Sequence, residues 1–193
     1  MITTIKEVLD HVEYLKTAPP YEINEHLATF QRLGAECDTI VEFGVGIGTS
    51  TWAWLSTQPK FMRSYDIIKY DQLDSIFETA QQMEWDWDLI LTDTSDPTLV
   101  IPECDLLFID SLHNAEHVQA ELRQADRVKK YIVFHDIEKW GTYGESKERL
   151  GEMDQNIKGI NYAINEFLDA HPEWQEVERY KNNNGLLVIK KVS

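Results

Sequence analysis

Cysteine is scarce, with two residues in a chain of 193. Cys37 and Cys104 form no C-x-x-C pair and show no metal-ligand spacing, which excludes a disulfide framework and a cysteine-held zinc. Buried free thiols in a reducing cytoplasm are the expectation. Basic residues are also few: 18 Lys and Arg stand against 34 Asp and Glu, for a formal net charge of -16. That balance repels phosphate backbones, so neither nucleic acid nor an anionic membrane is expected as the main partner. No apolar run is long enough to span a bilayer, and the opening Met1-Ile2-Thr3-Thr4-Ile5-Lys6-Glu7 lacks the basic start and apolar block of a signal peptide. A cytoplasmic protein is therefore expected. Internal repeats, low-complexity segments and linkers are absent. With 42% hydrophobic residues, the chain is expected to fold as one domain over 1–193, a helical cap over 1–36 preceding a core over 37–193.

Glycine is sparse too, yet three of the nine fall at alternate positions in one stretch, Thr39-Ile40-Val41-Glu42-Phe43-Gly44-Val45-Gly46-Ile47-Gly48-Thr49-Ser50-Thr51. An apolar run, a sharp turn and small hydroxyl residues read as strand, loop and helix N-terminus. Residues without a Cβ let the backbone turn tightly and let a ligand lie against it. The spacing is G-x-G-x-G, whereas a pyrophosphate-cradling loop usually reads G-x-G-x-x-G. Glu42 before it would repel a pyrophosphate and can pair with an ammonium group. A turn that only packs helix on strand remains the alternative.

The rest of the chain alternates. Ile5, Val8, Leu9, Val12 and Leu15 recur at helical spacing, and Pro19-Pro20 ends that helix. Ile23, Leu27, Phe30 and Leu33 mark a second, with Gly34 as its C-cap. Strands are expected over 61–65, 85–91, 105–110 and 129–134, with helices over 71–83, 114–128 and 159–168. Strands over 174–180 and 186–189 flank Asn182-Asn183-Asn184-Gly185, a hairpin turn. A long polar loop over 138–154 leaves the edge where strands end and is expected to serve as a substrate lid. Acids and imidazoles collect at the strand ends: Asp66, Asp93, Asp110 with His113, and His135 with Asp136. In an open α/β sheet that edge holds the ligand, and an acid ending the second strand accepts ribose hydroxyls. His117 is expected at the surface.

Glu42-Phe43-Gly44-Val45-Gly46-Ile47-Gly48-Thr49-Ser50 resembles motif I of the class I S-adenosylmethionine-dependent methyltransferases. Phe108-Ile109-Asp110-Ser111-Leu112-His113, Glu116-His117-Val118 and Phe134-His135-Asp136 resemble the small-molecule O-methyltransferase branch, which includes macrocin O-methyltransferase and the cephalosporin hydroxylase-like and rhamnosyl O-methyltransferase families. The resemblance runs from Cys37 to Lys191. It implies an α/β, Rossmann-like three-layer sandwich whose seven-stranded, mostly parallel sheet carries an antiparallel last strand. It implies S-adenosyl-L-methionine as cofactor, held by Glu42, Gly44, Gly46, Gly48, Ser50, Asp66 and Asp93. Asp110 and His113 are the implied catalytic residues. Asp110, His135 and Asp136 are the implied ligands of a divalent metal, Mg or Mn. Carboxylates suit magnesium, and an imidazole suits manganese, iron or zinc better. Leu112 stands where relatives often carry an acid.

Ala18-Pro19-Pro20-Tyr21 resembles the N/D-P-P-Y signature of amino-methylating enzymes without its first residue, and reads as a helix-breaking turn. The implied acceptor is a small molecule or a sugar hydroxyl, and self-association is left open. Two other readings stand beside this one. An NAD-dependent oxidoreductase is disfavoured by the glycine spacing, the short chain and the final hairpin. A non-catalytic Rossmann-like binding module is the other.

Overall fold

The computed structural model describes residues 2–19 and 22–192. Pro20 and Tyr21, half of the turn read above, lie outside the described residues.

Seven strands form one sheet in the order β3-β2-β1-β4-β5-β9-β8. They are β1 (Thr39–Phe43), β2 (Phe61–Asp66), β3 (Trp87–Leu91), β4 (Cys104–Ile109), β5 (Val128–His135), β8 (Trp174–Tyr180) and β9 (Leu186–Lys191). Strands β1 to β5 run parallel, and β9 enters antiparallel between β5 and β8. This is the expected sheet. The β4 residues are buried along its whole length, as a central parallel strand covered on both faces must be.

The period of two along the strands sorts side chains into two cores. Ile40, Met62, Leu106, Phe108, Val133 and Val188 face one helical layer: α1 (Ile5–Leu15), α2 (Leu27–Gly34), α3 (Thr49–Leu55) and α4 (Asp74–Gln82). Val41, Phe43, Leu107, Ile109, Phe134 and Leu187 face the other: α5 (Ala115–Glu121) and α6 (Ile160–Ala170). The result is a three-layer sandwich. The N-terminal helices are thus built into one layer: Phe30 stacks on Trp54 at 4.5 Å, and both rings meet Phe108.

Several details differ from the sequence reading. In α1, Thr4 and Glu7 form a capping box, Val8 and Val12 point inward, and Leu9 is 41% exposed. Gly34 is the last residue of α2 and has no left-handed backbone; its use is space, because a Cβ there would lie 2.8 Å from Thr57 Oγ1. The helix expected over 114–128 tightens after α5 into a 3-10 segment, Leu122–Arg127. The loop expected over 138–154 is largely a hairpin, β6 (Tyr143–Ser146) paired with β7 (Arg149–Lys158). Its β7 strand is mostly exposed and polar, so no alternating pattern announces it. Cys37 and Cys104 are free and buried, and burial pushes both thiols up to about 12. Among the described residues no helix is long and apolar enough to cross a membrane.

Candidate active site

The glycine loop after β1 takes the left-handed conformations that its sequence suggests: φ is +82° at Gly44, +52° at Gly46 and +88° at Gly48. Gly44 also lets two strand ends touch. A Cβ there would lie 2.0 Å from the Asp110 carbonyl oxygen, and the Asp110 N–H donates to the Phe43 carbonyl at 2.8 Å. Gly48 leaves room for Ile76 and Leu73 of the neighbouring layer. The loop and the ends of β2, β3 and β4 enclose a cleft of about 400 Å³. Gly44, Gly46, Asp66, Asp93, Asp110 and His113 line it, and Lys147 and Leu150 reach it from the hairpin.

Glu42 does not line the cleft. Its carboxylate is fully buried, with Oε1 accepting from Ser50 Oγ at 2.7 Å and Oε2 accepting from Thr51 Oγ1 at 2.9 Å and Ser64 Oγ at 2.7 Å. Burial raises this carboxyl to about 7 against the opposing pull of the hydroxyls. Ser50 is spent on this network as well. Both residues therefore hold the loop onto α3 and β2, since α3 begins with the hydroxyls that satisfy a strand acid. Asp66 does reach the cleft, and its Oδ2 accepts from the N–H groups of Val45 at 2.8 Å and Gly46 at 3.0 Å. Asp93 Oδ1 accepts from Ser95 N and Oγ, and its Oδ2 lies 3.7 Å from Lys147 Nζ.

A second group of polar side chains joins the cleft to the end of β5. His113 Nε2 lies 2.8 Å from Asp136 Oδ2 and 3.4 Å from Asp110 Oδ1, while its Nδ1 lies 2.9 Å from Glu145 Oε2. Trp140 stacks on the imidazole, with centroids 5.6 Å apart and planes 8° from parallel. His135 approaches Asp110 from behind: Nδ1 is 3.1 Å from Asp110 Oδ1, and Nε2 donates to the Asn183 carbonyl at 2.9 Å. Burial disfavours charge on all three of Asp110, His113 and His135, and their mutual contacts overcome it. His135 and His113 hold Asp110 well below the usual carboxylate range. Asp110, Asp136 and Glu145 hold His113 well above its ordinary value, and Asp110 leads in raising His135 to about 8.

The donor set fits a divalent cation. One ligand atom each from Asp110, His113 and Asp136 lies within 4.8 Å of the others, and Asp136 Oδ1 is buried without a hydrogen-bond partner, 3.7 Å from His135 Nδ1. Two carboxylates and an imidazole suit manganese, iron or zinc better than magnesium. The sequence reading named His135 as the imidazole ligand; in the group of three that could hold an ion the imidazole is His113, while His135 Nδ1 lies 3.1 Å from Asp110 Oδ1 and 3.7 Å from Asp136 Oδ1. Glu145 escaped the sequence reading altogether, since Tyr143-Gly144-Glu145-Ser146 carries no pattern. His117, expected at the surface, is buried beside Thr94 and Glu121, with Thr94 Oγ1 at 3.0 Å from its Nε2.

No protein-family model matches the sequence, and no curated protein matches it. Solved structures do. The N-methyltransferase NodS from Bradyrhizobium japonicum WM9, in complex with S-adenosyl-L-homocysteine, superposes with a TM-score of 0.60 at 15% identity, covering 96% of this chain and 99% of that one. Cofactor-bound Rv0187 from MTB gives 0.62 at 16% identity over 97% and 88% of the two chains. An O-methyltransferase family protein from Burkholderia thailandensis gives 0.56 at 11% identity over 98% of this chain and 57% of that one. The fold is that of the class I S-adenosylmethionine-dependent methyltransferases.

Proposed function

We propose that this protein transfers a methyl group from S-adenosylmethionine to a hydroxyl of a small molecule or a sugar. The observation that carries the reading is the opening of the Asp110–His113–Asp136 group onto the cleft of the glycine loop: Asp110 and His113 line that cleft together with Gly44 and Gly46. The fold supports the donor. The acid–imidazole group supports an oxygen acceptor, because a hydroxyl is a poor nucleophile until its proton is drawn away.

Methyl transfer from a sulfonium is an in-line displacement. The acceptor oxygen bonds to the methyl carbon as the carbon–sulfur bond breaks, the thioether leaves, and the hydroxyl proton passes to a carboxylate of the group. The donor is already activated, so the chain has to align the partners and exclude water. Gly44 and Gly46 allow close approach at the methionine end, and Asp66 and Asp93 stand at the ribose and adenine end. Asp110, His113 and Asp136 would hold a divalent cation. Such an ion lowers the pKa of a hydroxyl bound to it.

Calorimetry with S-adenosylhomocysteine and with NAD tests the donor. Tight NAD binding without S-adenosylhomocysteine binding would overturn the reading. Transfer of a labelled methyl group to a panel of sugars and small hydroxylated compounds tests the acceptor. Asp110→Ala and Asp136→Ala are expected to abolish transfer and keep S-adenosylhomocysteine affinity; unchanged transfer in both would mean that these acids do not carry the chemistry.

A further inference from the structure

Glu145 is a buried acid delivered to the site by the hairpin. It is tied to the His113–Asn114 segment at four points, the longest being the His113 N–H donating to its Oε2 at 3.4 Å. Its Oε2 lies 2.9 Å from His113 Nδ1, its N–H donates to the His113 carbonyl at 2.9 Å, and its carbonyl accepts from Asn114 Nδ2 at 3.0 Å. Its Oε1 accepts from the N–H of Gly151 across the hairpin. An ionised carboxylate taken out of water is costly unless it is paired, so this placement asks for a donor at His113 Nδ1.

A neutral imidazole has one hydrogen to place, and a carboxylate can only accept. Without a cation both ring nitrogens donate to the acids around them; when a cation displaces the Nε2 hydrogen, Nδ1 keeps its own against Glu145 and the lone pair falls on Nε2. The Trp140 ring fixes the imidazole plane, and Nε2 then points between Asp136 at 2.8 Å and Asp110 at 3.4 Å. We infer that Glu145 is a positioning residue for a divalent cation: by holding the Nδ1 hydrogen it makes Nε2 of His113 a ligand beside Asp110 and Asp136. This rests on the reading of those three residues as a cation site. The hairpin that carries Glu145 also sends Lys147 and Leu150 to the cleft wall. The acid that sets the imidazole therefore arrives on the element that covers the donor's cleft.

Partners of this kind behind a metal-bound histidine are worth about 10–100-fold in metal affinity. The test is a titration of Mn²⁺ into wild type, Glu145→Gln and Glu145→Leu, followed by electron paramagnetic resonance. S-adenosylhomocysteine affinity and thermal unfolding are measured on the same samples. Leu offers no acceptor and is expected to weaken Mn²⁺ by about 10–100-fold. Gln still accepts from Nδ1 through its amide oxygen and is expected to lose less, though measurably. Glu145 also lines the donor's cleft, so it is Glu145→Gln, which keeps its size, that is expected to bind S-adenosylhomocysteine like wild type. Wild-type Mn²⁺ affinity in Glu145→Leu overturns the inference, as does a drop in melting temperature that leaves Gln and Leu equal in Mn²⁺ affinity. If Glu145→Leu does not fold, Glu145→Gln must weaken Mn²⁺ at unchanged S-adenosylhomocysteine affinity, or the inference falls. Wild type that binds S-adenosylhomocysteine but no Mn²⁺ removes the cation site and the part given to Glu145, and leaves the donor cleft standing. A graded Mn²⁺ loss without any S-adenosylhomocysteine binding keeps Glu145 and overturns the proposed donor.

Discussion

Asp136 meets His113 at 2.8 Å from a backbone whose φ is +62°. The left-handed residue turns the chain just after the last position of β5 and swings the carboxylate toward the end of β4. Asp tolerates this conformation better than most residues, and Asn does so at least as well. Asp136→Asn is therefore the milder change. Asp136→Ala is expected to unfold at lower urea, by about 1–2 kcal/mol more than Asn, because Ala adds backbone strain to the lost contact. Equal stabilities of the two variants would show that the turn is unstrained.

The buried carboxyl of Glu42 makes stability depend on pH in a defined direction. Its folded value stands at about 7, raised by burial from an ordinary 4.5. Between those values the native state holds a proton that the unfolded chain releases. The contribution is thus fully present below pH 4.5 and is lost as pH rises through about 7. Its size is on the order of 3 kcal/mol. Glu42→Gln is expected to remove this slope: its melting temperature should approach or pass that of wild type at pH 8 and fall behind near pH 5. Parallel pH profiles for the two proteins would refute the assignment.

The glycines of the loop separate folding from binding. Gly44→Ala would drive a Cβ to 2.0 Å from the Asp110 carbonyl oxygen, so a poorly folded protein is expected. Nothing lies within 4 Å of a Cβ at Gly46. Gly46→Ala should stay folded at a cost of about 1–2 kcal/mol for its positive φ. It should still lose affinity for S-adenosylhomocysteine, because the methyl intrudes on the cleft. Calorimetry and thermal unfolding on both variants check this, and an unimpaired Gly46→Ala would place the ligand elsewhere.

Phe108 ties the N-terminal helices to the sheet. Its ring sits 5.1 Å from Phe30 and 5.6 Å from Trp54. Phe108→Ala is expected to cost about 3–5 kcal/mol by urea unfolding. Much smaller losses would mean that α2 packs loosely on the core.

Local pattern made much of this protein legible from its residues alone. The apolar run of β4 and the amphipathic spacing of α6 are set by short-range periodicity, as is the Asn-Gly turn before β9. The three left-handed glycines follow from the absence of a Cβ. The acids at the strand ends were visible because a parallel α/β sheet gathers its carboxyl ends at one edge. The hairpin of β6 and β7 was not visible, because β7 is mostly exposed and its apolar residues Leu150, Met153 and Ile157 do not alternate.

Other choices belonged to the packed structure. Glu42 turned inward because hydroxyls from α3 and β2, far apart along the chain, satisfy both of its oxygens. His113 came to lie between Asp110 and Asp136, with His135 behind Asp110 and tied through Nε2 to the Asn183 carbonyl of the β8–β9 turn. Glu145 reached His113 across 32 positions of sequence. Hydrogen-bond partners of buried groups are set by three-dimensional neighbours, whereas strand and turn are set by neighbours along the chain. The residue types were in the sequence; which oxygen faces which nitrogen was decided only when the layers closed.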